Sequence, residues 1–264
     1  MIFAFTVAGR EYRFDSARPI DIAISLDFYG DQPSAFHLPA ASAAVAEGGG
    51  FIGDTRRGGS CNCETITINP HGNGTHTECV GHISDERIAV ADVLKRTLLP
   101  AVLVTVSPSD AESAVPGELS VSADDLAAAI GRIGDIPAEF LRALIIRTLP
   151  NGAGKRNAAY SGANPPYISR GAMRRIRALE VEHLLIDLPS VDREDEPSLT
   201  NHRIFWGMES VAPGVPEPYP PGTITEMIYV DDAVADGIYL LDLQIPAMLL
   251  DAAPSRPILY ALER

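Results

Sequence analysis

The run His71-Gly72-Asn73-Gly74-Thr75-His76-Thr77-Glu78-Cys79-Val80-Gly81-His82 gathers three of the chain's six histidines and a carboxylate into one short segment. Neutral imidazole and carboxylate are the donors that catalytic zinc and manganese take. In an extended backbone alternate side chains share a face, so His76, Glu78 and His82 point the same way. His71 has the opposite parity and joins them only if the chain turns over before His76. Gly72-Asn73-Gly74 suit such a turn, because positive φ costs glycine and asparagine little. A polar surface loop with chance histidines is the bland alternative, and the clustering disfavours it. Residue type and spacing therefore predict a divalent-metal site, with at least one histidine left for proton transfer.

Upstream, Glu64-Thr-Ile-Thr-Ile-Asn69 alternates polar and apolar residues as a half-buried strand does, and is expected to deliver the motif at its end. Before it, residues 31–60 are rich in Gly, Ala, Ser and Pro without a period, which predicts a long irregular connection. Its aromatic residues and those just before it, Phe28, Tyr29, Phe36 and Phe51, could wall a substrate pocket or simply pack. A hairpin through Ala8-Gly9-Arg10 and a strand over 20–26 complete the N-terminal part.

Downstream, strand and helix alternate. Strands are expected at 101–106, 141–148, 183–187, 238–244 and 258–262. Helices are expected after the caps Ser122 and Ser169, with Leu126, Ala129, Ile130 and Ile133 inward in the first and Ala172, Met173, Ile176 and Leu179 in the second. This order predicts a single α/β domain over residues 1–264, with a mixed β-sheet and flanking helices.

Composition excludes some functions. A formal charge of -14 and a pI near 4.8 argue against a nucleic-acid surface, which needs basic clusters. The densest basic run, Arg170 to Arg177, has the spacing of one solvated helix face. No apolar run approaches the roughly 18 residues of a membrane span. The N-terminus lacks the basic region of a signal peptide, so a cytoplasmic protein is expected. The three cysteines, Cys61, Cys63 and Cys79, are expected as buried reduced thiols, with Cys79 turned away from Glu78. His183 opens an apolar strand and is expected to be structural, while His37 has no partner in sequence.

At the motif the chain resembles the metal-dependent cyclase-like hydrolases, which include bacterial kynurenine formamidase and isatin hydrolase. Their signature is His-x-Gly-Thr-His-x-Asp-x-Pro-x-His. Gly74-Thr75-His76 matches its centre, Glu78 stands at the aspartate and His82 at the last histidine. One extra residue separates His71 from Gly74, Glu78 replaces aspartate, and Val80 replaces proline. The stretch Pro166-Tyr-Ile-Ser169, a helix, and then Asp187-Leu-Pro-Ser190-Val-Asp192 is similar to the family's helix and turn. Thr200-Asn-His202-Arg203 and Ile224-Thr-Glu226 are similar to its further ligand segments.

The resemblance implies the swivelling β/β/α cyclase fold, with His71, His76, Glu78, His202 and Glu226 as metal ligands. Five ligands exceed what one open tetrahedral zinc needs, so two ions share the site or some of the five only hold others in place. Zinc is expected first, manganese second. The implied reaction is hydrolysis of an amide C–N bond by metal-activated water, with His82 as proton shuttle. Its substrate would be a small molecule, either an aryl formamide such as N-formylkynurenine or a cyclic amide such as isatin. The resemblance also implies a homo-oligomer. The Pro-rich run 212–222 lies between two of these ligands and is expected at the rim of the site. A non-catalytic metal-binding protein, using the same residues for structure or sensing, is the other reading.

Overall fold

A computed structural model describes residues 1–209 and 218–263. Four parallel strands form the centre of its sheet: Leu98–Val106, Ala143–Thr148, His183–Ile186 and Thr223–Glu226. They are rich in Val, Ile and Leu because both faces are covered. Val102, Val104, Leu144, Ile146, Leu184 and Ile186 face one core, and Ala101, Leu103, Ala143, Ile145 and Leu185 face the other. The period of two thus sorts one apolar run into two cores.

Helices cover the first face. Ala123–Ile133 links the first two central strands and buries Leu126 and Ala129. Its cap is Ser122, whose hydroxyl accepts from the Asp125 N–H at 3.1 Å. Arg170–Ala178 links the next pair and buries Ala172, Met173 and Ile176, with Ser169 accepting from the Ala172 N–H. A shorter helix, Thr200–Trp206, leads to the last central strand.

Antiparallel strands extend the centre on both sides into a nine-stranded mixed sheet. On one side Thr223–Glu226 pairs with His76–Cys79, which pairs with Ala252–Pro254. On the other, Leu98–Val106 pairs with Gly237–Asp242, followed by Ile258–Ala261 and Ile20–Asp21. The mixed α/β architecture expected from the alternation is present. No helix among the described residues is long and apolar enough to cross a membrane.

Several local expectations need correction. The 64–69 strand does not carry the motif into the sheet. It ends at Thr67, pairs with Ser42–Val45 in a separate two-stranded ribbon, and all four of its residues are exposed. Alternation of Thr and Ile suits an exposed ribbon as well as a half-buried strand, and Asn69-Pro70 ends the extended run. Residues 31–60 are less irregular than expected, since they also contain the small pairing of Glu47–Gly48 with Phe51–Ile52. The strand expected from residue 141 begins at Ala143, because Leu141 ends the helical turn Ala138–Leu141. The 20–26 strand shrinks to Ile20–Asp21 and an isolated bridge from Ala23 to Ile228. Cys61 and Cys63 are exposed, whereas Cys79 is buried as expected. Residues 212–217 of the Pro-rich run lie outside the described residues.

Candidate metal centre

The candidate site forms where the central parallel strands end and the chain leaves the sheet, the usual place for sites in α/β proteins. His76–Cys79 is itself a strand of the main sheet, buried along its length. Its antiparallel register sets His76 directly against Glu226 and Glu78 against Ile224. Thr75, just before it, ties the segment down. Its hydroxyl accepts from the Ile24 N–H at 2.8 Å and donates to the Met227 carbonyl.

The turn ahead of His76 exists and brings His71 round. Asn69 starts it, its carbonyl accepting from the Gly72 and Asn73 N–H groups and its side chain from the His71 N–H. Asn73 closes it, accepting from the Asn69 N–H at 2.7 Å and donating to the Pro39 carbonyl at 3.0 Å. The glycines do different work. Gly74 has φ +139, which side chains rarely adopt, while at Gly72 a Cβ would lie 2.6 Å from a Leu38 methyl carbon. One residue needs the conformation, the other the space.

The five candidate ligands and His82 converge. His71 Nδ1 is 3.1 Å from Glu78 Oε2, and His202 Nε2 is 2.9 Å from Glu78 Oε1. His76 Nε2 is 3.4 Å and His202 Nε2 3.8 Å from the Glu226 carboxylate. His82 Nε2 lies 3.9 Å from Glu78 Oε2, and the His82 ring stacks on His71 with centroids 4.2 Å apart. Among the described residues, the sets of donor atoms close enough to share one cation are His71, His76 and Glu78, then Glu78, His82 and His202, and also His71, His82 and Asp251. Glu78 belongs to two of the three.

Each imidazole is held by its outer nitrogen. His76 Nδ1 donates to the Gly74 carbonyl at 2.9 Å, and His202 Nδ1 to Asp192 Oδ2 at 2.6 Å. His71 Nε2 and His82 Nδ1 both meet Asp251 Oδ2, at 3.0 and 3.3 Å. Carbonyl and ionised carboxylate oxygens only accept, so the outer nitrogens carry the hydrogens and the inner ones face the cluster. Asp192 also caps the 200–206 helix through the Asn201 and His202 N–H groups. Glu226 is steadied by the Val191 N–H on Oε1.

The inner atoms are the unusual ones. His76 Nε2, His202 Nε2 and both Glu78 oxygens are buried and make no well-directed hydrogen bond, lying against one another and their neighbours only at ion-pair distance. Such groups are costly to leave unmet, and their convergence is what an ion-sized space lined by ligands would produce. The donor set of imidazole nitrogens and carboxylate oxygens fits a divalent metal cation.

The charge balance says the same. Burial works against a charged His71, but Asp251 and Glu78 outweigh it and push the ring up to about 10. His202 is likewise raised well above the usual histidine range, Glu78 and Asp192 overcoming its burial. Burial opposes ionisation of Glu78, yet the surrounding histidines hold it well below the usual carboxylate range.

One side of the cluster is open. His76, Glu78, His202 and Glu226 are buried, whereas the side chains of His71, His82 and Asp251 are 21%, 25% and 36% exposed. Of the aromatic residues that could wall a pocket, Phe36 packs against the small cluster of Ile24, Ala35, Met227 and Tyr229, while Tyr29 and Phe51 are exposed. His183 is remote and structural, bonded to Thr223 Oγ1 at 2.8 Å and pushed down to about 4 by burial. His37 is exposed, 3.9 Å from Glu194. Sequence reasoning missed Asp251, which follows the exposed Met248, Leu249 and Leu250 and shows no periodic signal. Asp192 was visible only as part of a turn.

The family model Cyclase matches residues 20–193, well over half of the chain. His202, Glu226 and Asp251 lie beyond that match. Among solved structures, isatin hydrolase A from Labrenzia aggregata, bound to benzyl benzoate, superposes with a TM-score of 0.64 at 14% identity, covering 93% of this chain and 94% of that one. A predicted metal-dependent hydrolase from Bacillus stearothermophilus gives 0.59 at 16%, covering 92% and 98%. An isatin hydrolase bound to the product analogue thioisatinate gives 0.61 at 14%, covering 93% and 92%. At these identities the likeness is one of fold.

Proposed function

The chain belongs to the cyclase family, and we propose that it is a metal-dependent hydrolase cleaving an amide C–N bond in a small molecule. The observation that carries this reading is the convergence of buried inner atoms on His76, His202 and Glu78 that make no well-directed hydrogen bond. The whole chain, residues 1–264, acts as one domain. The substrate is an aryl formamide such as N-formylkynurenine or a cyclic amide such as isatin, and the second is favoured by the two isatin hydrolases of like fold.

His71, His76, Glu78, His202 and Glu226 would hold the metal, zinc first and manganese second. Five ligands are more than one open site needs, and Glu78, with one oxygen toward His71 and the other toward His202, is the residue that two ions would share. When bound, the metal supplies an activated water and polarises the substrate carbonyl. The chain's own part is positioning and proton transfer. His82 stands at the open side with Nε2 toward the cluster, and gives a proton to the departing nitrogen. The open side favours catalysis over a closed structural site, which would surround its ion with protein.

We further propose a homo-oligomer, on the family resemblance, and a cytoplasmic location, which the exposed free thiols of Cys61 and Cys63 suit. The decisive experiment is to load the protein with zinc or manganese and screen formamides, lactams and lactones for metal-dependent turnover. Hydrolysis of a formamide or cyclic amide that stops on chelation is expected. Stoichiometric metal with no exchangeable water and no turnover on any of the three classes would overturn the enzyme reading.

A further inference from the structure

Asp251 relates to two histidines at once. The stacked rings of His71 and His82 each turn one nitrogen inward toward Glu78 and one outward, and both outer nitrogens reach the same oxygen, Asp251 Oδ2. The two edges differ in kind. The outer atoms are hydrogen-bonded to an Asp251 side chain that is 36% exposed, whereas Glu78 at the inner edge is fully buried and its oxygens meet His71 and His202 without a well-directed hydrogen bond. The cation therefore fits the inner edge, and Asp251 stands behind the rings.

Resting on the hydrolase reading above, we propose that Asp251 is a positioning residue shared by the metal ligand His71 and the proton-transfer residue His82. One acceptor oxygen holds the hydrogen on His71 Nε2 and on His82 Nδ1. His71 is thereby left to coordinate through Nδ1, and His82 to exchange its proton through Nε2. A carboxylate behind a ligating histidine normally serves one ring, fixing its tautomer and orientation. Here one carboxylate serves both functions. The ladder supplies the rigidity for this, because Asp251 immediately precedes Ala252–Pro254, which pairs with His76–Cys79, and its carbonyl accepts from the Cys79 N–H at 3.0 Å. The same backbone stretch that carries Asp251 is thus bonded to the strand that carries Glu78.

The test compares Asp251→Leu and Asp251→Asn in the full chain, each alone and combined with His82→Asn. Zinc affinity is measured by chelator competition, and turnover at saturating zinc is measured on a formanilide and on an activated ester. Asp251→Leu should weaken zinc binding by ~10- to 100-fold. It should also lower kcat for the formanilide more than for the ester, with KM little changed. Asp251→Asn keeps a single acceptor oxygen, which is all the geometry uses, and should restore zinc affinity to near the wild-type value. In the His82→Asn background, Asp251→Leu should still weaken zinc but leave the formanilide-to-ester ratio unmoved.

Equal zinc loss in the Asn and Leu variants would make Asp251 a ligand and overturn the proposal. Wild-type zinc affinity and wild-type substrate ratio in Asp251→Leu would overturn it as well. If that variant does not fold, histidine ¹⁵N spectra of the zinc-loaded wild type decide: the Nδ1–H form of His82 supports the proposal and the Nε2–H form defeats it. A wild type that binds zinc but hydrolyses no amide would sink the hydrolase reading instead, and the zinc and spectral measurements would still judge Asp251.

Discussion

Glu226 sits directly opposite His76 across an antiparallel ladder, with its Oε2 3.4 Å from His76 Nε2 and both side chains buried. Opposed residues in a ladder are held within side-chain reach by the backbone, so the distance between this acid and this ring is set by strand register. A ligand pair made this way is rigid before any ion arrives, which reduces the ordering cost of binding. The same ladder makes the site part of the fold.

His76→Ala is therefore expected to lose metal and stability together. In the wild type a bound ion at a hundredfold excess over its Kd adds about 2.7 kcal/mol by mass action, and the variant forfeits most of this. Chelation of the wild type should reproduce much of the loss of Tm. A purified variant with full metal content by elemental analysis would remove His76 from the ligand set.

Gly74 and Gly72 should fail differently. Gly74→Val places a β-branched residue at φ +139 and should damage metal binding nearly as much as His71→Ala, by forbidding the turn. Gly72→Ala meets the Leu38 side chain and the Ala35 carbonyl, so it should cost stability with a smaller effect on affinity. Unchanged metal affinity in both Gly74→Val and His71→Ala would show that nothing upstream of His76 holds the ion.

Metal binding should release protons. Free of metal, His71 titrates at about 10 and is protonated at neutral pH, so a cation that takes its Nδ1 must displace a proton. Affinity then rises with pH, about tenfold per unit for each proton released. The sign for the metal-free protein is the reverse. A raised histidine contributes stability that is fully present below its unfolded value of 6.5 and is lost as pH rises toward 10. The Tm difference between zinc-loaded and chelated protein should therefore widen from pH 6.5 to 9. A difference that stays flat, with no proton release by calorimetry in buffers of different ionisation enthalpy, would contradict this charge balance.

His82→Asn separates chemistry from binding. It should keep metal and fold while losing ~10²- to 10⁴-fold in kcat on a formamide, the usual worth of general acid–base catalysis. The loss should shrink on an activated ester, whose leaving group needs no proton. Metal content that falls with activity would instead make His82 a ligand, which its place in a donor set with Glu78 and His202 permits. Unchanged turnover on both substrates would send the search for the shuttle to Glu226.

Much of this was legible in residue type and period. The helices capped by Ser122 and Ser169 are found with the inward faces expected, because helix periodicity and capping are local properties. The motif announced its donors for the same reason, and parity placed His76 and Glu78 together. Periodicity misled at 64–67, where alternation continued on a ribbon that no core covers. It was silent at Asp251, whose neighbours form neither a regular strand nor a helix before Ala252.

The amino-acid sequence by itself determined the mixed α/β architecture, the donor types of the candidate site and the turn that brings His71 into it. All of these follow from steric preference, periodicity and the chemistry of residues close in the chain. Only the tertiary structure decided which oxygen stands behind each ring, with Asp192 behind His202 and Asp251 behind both His71 and His82. It also decided which cysteines are exposed and which side of the cluster opens to solvent. These depend on the register and order of strands far apart in sequence, and register is settled by the summed burial of the whole sheet, a quantity that no local stretch carries.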